Sequence, residues 1–541
     1  MVKDKEDKAK EGINKETTDS MKTRGPNVLF IITDQQRADN NGFMGNEVLR
    51  TPNLDKIAAN GMVFNNAWVS NPICMPNRSS IMTGRMPTAH GVIFNERSLD
   101  WGANTFVRRF RKSGYQTALI GKSHLQHGMS KNSSVPYRGE GVSSDPYPAG
   151  WDTIEDFERY LEKDLQDPAD FYGFGHIELS IDHGARASGH HLRWALANGA
   201  NIEDMFVDYS ADAPGSSRSE NWWQIYQPPY ASEFHSTNFV TQQTIDFIEK
   251  SGAKDEPWLA WCSFPDPHHP MTPPGDWFYR HKAEDMKLPE SRHDPLTDAP
   301  AHLRQIQKMH PKDQRSWVAP CGFGNDQLLA EAMAATYGMV EMIDDGVGQI
   351  LNTLKRLEIE DNTIVVFTSD HGDMMGDHGL FLKGFMNYRG TLQVPMVINA
   401  PGKAAGRSQS LASSIDLGST LMELCEIKGY DGIQGQSLCP ILDDPNKRVR
   451  DYVLIEDDIA AITAKLTNFP AKTRTLVTDE HRMSRNSKRE EQLYNLIDDP
   501  DEMNSLAKSD RETRSMMIEK LTDALIDADD TARGAPVTEP S

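Results

Sequence analysis

Short apolar, β-branched runs alternate along the chain with stretches whose apolar residues recur every three or four positions, which predicts a largely parallel sheet covered by helices. NVLFIIT at 27–33 is apolar through its middle and breaks at Asp34, as a buried strand does when it hands a polar residue to a functional loop. The next segment has Thr51 as a cap, Pro52 in the first turn and Gly61 as a stop, so LDKIAANG reads as helix. MVFNNAWVS, YQTALIG, PWLAWCSF and NTIVVFTSD read as further strands, the last ending in Asp370. TFVRRFRKSG, FVTQQTIDFIEKSG and the long run at 326–357 read as the helices between them. In sheets of this kind ligands collect at the carboxyl ends of the strands, which puts Asp34 and Asp370 where chemistry is expected.

The pattern breaks twice. Between 128 and 230 it gives way to an aromatic, Pro/Gly-rich, acidic stretch containing DFYGFGH and NWWQIYQPPY, read either as an insertion that shapes a pocket or as a loop packed on its own aromatics. A second irregular stretch, 280–325, is expected to run over the surface. Near Asp431 the chain changes to short strand candidates and a final helix, MMIEKLTDALIDA. The expected organisation is a leader at 1–25, a main domain at 26–430 and a smaller C-terminal α+β domain at 431–541. The fold class is α/β: a large, mostly parallel or mixed sheet between helices.

Composition narrows the partners. With 79 acidic against 57 basic residues, the net charge of −22 opposes binding to nucleic acid or anionic membranes, and an anionic substrate needs a locally positive pocket. No apolar run approaches the roughly 18–20 residues that span a bilayer. The five cysteines are scattered, odd in number and without CxxC spacing, which speaks against a disulfide framework or a structural zinc site. That usage, with a charged N-terminus lacking an apolar segment of the secretory type, leads to a cytoplasmic expectation. Oligomeric state is not readable from the sequence.

The segment with most chemical content is PICMPNRSSIMTGR at 72–85. Cys74 taken alone reads as a buried or incidental thiol rather than a nucleophile, and its sequence neighbourhood changes that reading. A helix expected to begin near Arg78 would aim its unpaired N–H groups and positive dipole end at position 74, which suits an anion, and Arg78 adds a permanent cation. Cys-Met-Pro-Asn-Arg closely resembles the modification motif of the sulfatase family, in which the cysteine becomes formylglycine (3-oxoalanine). NVLFIITDQQR, GYQTALIGKSH, SFPDPHHPMTPP, TSDHGDMMGDHGLFLKG and LYNLIDDPDEMNSLA resemble further family segments, in the family's order. The family's fold is alkaline phosphatase-like, and its maturation requires a formylglycine-generating enzyme.

The resemblance implies one divalent metal held by Asp34, Asp370, His371, Gln35 and the modified Cys74. Two positions depart from the common pattern: Gln35 stands where many sulfatases have a second aspartate, and His371 where they have asparagine. Calcium is the family's usual ion, and the imidazole keeps manganese as an alternative. The same two departures resemble the phosphonate monoester hydrolases of this family. The resemblance further assigns Lys122 and His124 to the formylglycine and the sulfate, His268 to the bridging oxygen and Lys383 to the sulfate and leaving group. Asp373, Asp377 and His378 are expected to structure their loop rather than to ligate, and His269 to pack against prolines. The cluster His183, His190 and His191 has a metal-like look but matches no family motif. The function implied is hydrolysis of a small-molecule or carbohydrate sulfate ester. The alternatives are a phosphonate monoester hydrolase or phosphodiesterase on the same scaffold, and a non-catalytic binding protein with unmodified Cys74.

Overall fold

The computed structural model describes residues 25–529 apart from 96, 128–149, 163–164, 182, 207–218, 253–255 and 314–319. The leader expected at 1–25 lies outside them except for Gly25, as do large parts of the stretch at 128–230. The strands are β1 Asn27–Thr33, β2 Met62–Trp68, β3 Gln116–Gly121, β4 His176–Leu179, β5 Trp258–Ser263, β6 Cys321–Gly322, β7 Thr363–Ser369, β8 Leu380–Phe381, β9 Met396–Asn399, β10 Gly406–Ser413, β11 Val453–Asp458, β12 Lys472–Val477, β13 His481–Asn486 and β14 Glu491–Asn495.

Eight of them form one sheet in the order β10-β2-β9-β7-β1-β5-β3-β4, and β6 pairs with β8 in a separate two-stranded ladder. Only β9 runs against its neighbours β2 and β7; the other pairings in the large sheet are parallel. The apolar runs follow from burial on both faces. On β1, Val28, Phe30 and Ile32 face one core with the helices Cys74–Thr83, Phe106–Lys112 and Asp416–Leu424. Leu29 and Ile31 face the other, with the helices Pro52–Asn60, Ser236–Gly252 and Asp326–Arg356. The long helix is capped by Asn325, whose Oδ1 accepts from Leu328 N–H at 2.9 Å.

Three features differ from the sequence reading. The helix expected near Arg78 begins at Cys74, because Pro76 falls within its first turn, where a missing N–H costs nothing. The stretch at 128–230 also supplies β4 to the sheet edge and the helix His190–Ala197. Among its described aromatics, Tyr172, Phe174 and Tyr226 are buried, and Trp222 stacks on Phe381 at 5.2 Å. The stretch at 280–325 is not only surface, since Leu296, Leu303 and Ile306 pack with Met374, Leu380 and Met386 and so brace the loop after β7.

β11 to β14 form an antiparallel meander, and the helix Arg511–Asp527 lays Met517, Leu521 and Ala524 against Leu454, Leu476, Met483 and Leu493. Glu456 N–H donates to the Ser70 carbonyl at 2.9 Å, which fastens β11 beside the segment leading to Cys74. A second fastening is fully buried: Arg482 pairs with Glu502, whose other oxygen accepts from Arg389 N–H at 2.7 Å, and the guanidinium lies over the rings of Tyr388 and Tyr494. Replacing one member of such a pair leaves an uncompensated buried charge. Glu502→Gln is therefore expected to destabilise the protein by about 3–5 kcal/mol, read as a lowered unfolding midpoint in urea, and an unchanged midpoint would refute the buried pairing.

Candidate active site

The site is assembled at the carboxyl ends of adjacent strands. Thr33 of β1 and Ser369 of β7 are register partners, so the next residues, Asp34 and Asp370, leave the sheet side by side. Lys122 follows β3, and His268 follows β5 at a turn of the loop. Gly121 permits the close approach of β3 to β5: its φ is +100°, and a Cβ there would lie 1.8 Å from the Ser263 carbonyl oxygen.

Cys74, as the first helical residue, projects its sulfur into this ring. Sγ lies 3.1 Å from His371 Nε2, 3.1 Å from Lys383 Nζ and 3.7 Å from Asp34 Oδ1. One turn on, Arg78 is completely buried. Its Nε donates to Asp370 Oδ2 at 2.7 Å, Nη1 to the Lys122 carbonyl at 3.1 Å and to Ser263 Oγ at 2.9 Å, and Nη2 to Asp34 Oδ2 at 3.4 Å. The guanidinium thus ties together both carboxylates and the ends of two further strands. Lys122 Nζ bonds to Asp34 Oδ2, and Lys383 Nζ donates to Gln35 Oε1 at 2.9 Å. Gln35, at φ +66°, donates its own amide to Asp373 and its backbone N–H to Asp370 Oδ1.

These contacts set the protonation of the site. Burial and the Cys74 sulfur push the Asp34 carboxyl up, but Lys122, Lys383 and Arg78 outweigh them and hold it below the usual carboxylate range. Burial also raises the Cys74 thiol, yet Lys122, Lys383 and His371 bring it well below its ordinary value, so position 74 favours an anion. Burial lowers His124 to about 4, with Lys122 adding to the effect and a hydrogen bond to Cys74 opposing it. His268 is held well below the ordinary range by burial and by the neighbouring His183, His269 and Lys383.

Four ligand atoms, from Asp34, Cys74, Asp370 and His371, all lie within 4.8 Å of one another. His371 Nδ1 donates to the Gly372 carbonyl at 2.9 Å, which leaves Nε2 facing Asp34 Oδ1 and Asp370 Oδ1 at 3.5 Å each. Burial disfavours charge on this ring, but Asp370 prevails and raises its proton affinity. The same convergence of carboxylate charge that draws a proton there suits a divalent cation, and the carbonyl contact fixes the ring as such ligands require.

All ten site residues read from the sequence are brought together here: Asp34, Gln35, Cys74, Arg78, Lys122, His124, His268, Asp370, His371 and Lys383 share direct or mutual neighbours. Asp373 accepts from Met375 N–H, Leu382 N–H and Gln35, Asp377 pairs with Arg37, and His378 pairs with Asp294, so all three organise the loop. The histidine cluster divides. His190 is held by Asp167 and Leu179 N–H, and His191 by the Phe234 carbonyl, whereas His183 contacts Lys122 and stacks on His268. His269 also lies in the site, its ring 3.9 Å from that of His268. Asn95, not singled out by any motif, accepts from Met75 N–H at 3.2 Å at the helix start.

Comparison with known proteins agrees with this geometry. Residues 26–427 match the family model for sulfatases, and residues 376–530 match the model described as N-sulphoglucosamine sulphohydrolase, C-terminal. The arylsulfatase of Clostridium perfringens is 31% identical, over 90% of this chain and 91% of its own. The crystal structure of the phosphonate monoester hydrolase of Agrobacterium radiobacter superposes with a TM-score of 0.74 at 24% identity, covering 93% of this chain and 96% of the other. A structure in complex with its substrate D-glucosamine-2-N,6-O-disulfate superposes with a TM-score of 0.66 at 19% identity, covering 94% and 99%. At these identities the two superpositions establish the fold alone. The match over most of the chain, on an alkaline phosphatase-like architecture, makes this protein a member of the sulfatase family and a sulfuric ester hydrolase.

Proposed function

We propose that the protein hydrolyses sulfate monoesters of a small alcohol or sugar with residue 74 in its formylglycine form. The observation that carries this reading is the placement of Cys74 at the head of its helix, in contact with His371 and Lys383 and beside Asp34. Asp34, Asp370, His371 and residue 74, with Gln35 adjacent, would hold a divalent ion, which when bound lowers the pKa of the nucleophilic hydroxyl and neutralises charge. Calcium is the first candidate and manganese the second, because the donor set contains an imidazole. Formylglycine hydrates to a diol, so one hydroxyl can take the sulfuryl group while the other later releases it as sulfate.

The remaining roles fall to side chains of the chain itself. Lys122 and Lys383 sit where charge on the sulfuryl oxygens develops, and preorganised cations contribute most in the transition state. Arg78 keeps both carboxylates in register. His268 faces residue 74 and serves the departing oxygen, and the charge of a bound sulfate ester favours its protonated form against the burial that lowers it. His124, which also bonds to residue 74, is placed to take the proton of the second hydroxyl. A sulfated sugar is supported by the glucosamine disulfate bound by one structural relative. The proposal includes a formylglycine-generating maturation enzyme as partner and, from the four other cysteines, Cys262, Cys321, Cys425 and Cys439, left as free thiols, a reducing cytoplasmic setting.

A second reading, phosphonate monoester hydrolysis, is favoured by Gln35 and His371 at the metal site and by the likeness to a phosphonate monoester hydrolase. Protein co-expressed with a maturation enzyme should turn over an aryl sulfate and a sulfated sugar at least about tenfold faster, in kcat/KM, than an aryl phosphonate, a difference of about 1.4 kcal/mol in barrier. The reverse ratio would establish the second reading. An unmodified Cys74 peptide by mass spectrometry together with no turnover would leave a binding protein.

A further inference from the structure

His183 reaches the site from the irregular segment after β4, outside every motif that identifies the family. Its ring lies nearly parallel to that of His268, with centroids 3.8 Å apart and planes 23° apart. His269 covers His268 at 3.9 Å, so His268 contacts an imidazole through both neighbours, and the His124 ring stands edge-on to His183 at 6.0 Å. His183 Nε2 is hydrogen-bonded to Lys122 Nζ. An ammonium only donates, so Nε2 accepts and the ring's own N–H is on Nδ1. Lys122 is thereby held by Asp34 with one N–H and by His183 with another, a fixed direction for a side chain that is otherwise long and flexible.

We infer that His183 is a positioning residue for the leaving-group side of the reaction, aligning His268 by ring contact and Lys122 by hydrogen bonding. The inference rests on the reading that His268 serves the departing oxygen. When the sulfur–oxygen bond breaks, its electron pair goes to the alcohol oxygen, which takes the proton from His268 Nε2. His268 Nδ1 keeps its hydrogen bond to the His269 carbonyl throughout. Proton transfer of this kind depends on alignment, and a displacement of about 1 Å costs on the order of 100-fold. It matters for alkyl and sugar alcohols and little for a nitrophenolate, which leaves without a proton. His183 is therefore a determinant of which alcohols the enzyme can release.

The test uses matured, metal-loaded enzyme and a series of sulfate esters running from 4-nitrophenyl to an alkyl alcohol. His183→Gln keeps a hydrogen-bond acceptor and removes the ring; His183→Phe keeps the ring and removes the acceptor. His183→Gln is expected to lose about 100-fold in kcat on the alkyl ester and less than about fivefold on the nitrophenyl ester. His183→Phe is expected to retain the wild-type dependence on leaving group while lowering kcat/KM for every ester by a similar factor, because Lys122 loses one of its two partners. Equal losses across the series in His183→Gln as well would overturn the inference and leave His183 a packing residue. His268→Ala separates the two levels. If its losses do not grow with poorer leaving groups, the role of His268 itself fails; if they do and those of His183→Gln do not, only the role of His183 fails.

Discussion

Cys74→Ala is expected to lower turnover by about 10⁴-fold or more while leaving the unfolding midpoint close to that of the wild type. A nucleophile that acts together with its neighbours cannot be replaced by them, and losses of this order follow its removal in other hydrolases. The structural cost is small because the side chain is short and the helix keeps its first residue. Lys383 retains Gln35 as a partner and His371 retains Gly372. Cys74→Ser sharpens the test. A serine offers one hydroxyl, so after accepting a sulfuryl group it has no second hydroxyl to expel it. The expected result is a single equivalent of released alcohol and a sulfated peptide containing residue 74, followed by arrest. Sustained turnover in either variant would remove residue 74 from the chemistry.

Much of this site is legible in the sequence because strand ends and local motifs mark it. NVLFIIT and NTIVVFTSD are each apolar enough for burial on both faces, and each stops at an aspartate. Their side-by-side placement, however, depends on the pairing of β1 with β7, separated by more than three hundred residues of chain, which periodicity does not encode. The start of the helix at Cys74 was obscured by Pro76, since a proline reads equally as a residue just before a helix or inside its first turn. Ten residues of the constellation follow motif positions, yet His183 does not. Its neighbours in sequence, His190 and His191, look the same on paper and point into structural contacts instead. Only the return of the chain along β4, parallel to β3 and therefore toward Lys122, separates them. The aromatic stretch at 128–230 reads from sequence either as a pocket-shaping insertion or as a loop packed on its own aromatics, and Trp222 and Tyr226 are taken up by packing.

The balance of charge explains why a strongly acidic chain can receive an anion. Arg78, Lys122 and Lys383 converge on two carboxylates and residue 74. Gln35 contributes no charge where a carboxylate would add one, so its amide can bridge Lys383 and Asp373 without drawing the lysine away from the substrate side. With a divalent ion the site is net positive, and the field at residue 74 opposes that of a chain whose net charge is −22.

Asp370→Ala is expected to lose the metal, the activity and a large part of the stability together. One oxygen of Asp370 accepts from Arg78 Nε and the other from Gln35 N–H, while its charge raises the proton affinity of His371. Removing it leaves a buried guanidinium short of a partner, which costs about 3–5 kcal/mol. Metal content by elemental analysis should fall from about one equivalent toward zero, since a site with one carboxylate and one imidazole has lost a charged ligand. Added ion is expected to stabilise the wild type by about 2.7 kcal/mol at a hundredfold excess over its Kd, and this shift should disappear in the variant. Asp370→Asn keeps one oxygen, for Gln35 N–H or for Arg78 Nε, and turns an amide donor toward the other donor, so it should recover part of the stability and little of the metal. Full metal content in both variants would mean that the cation is held elsewhere, and the role of Asp34 and Asp370 would be reduced to holding Arg78 and Lys122 in place.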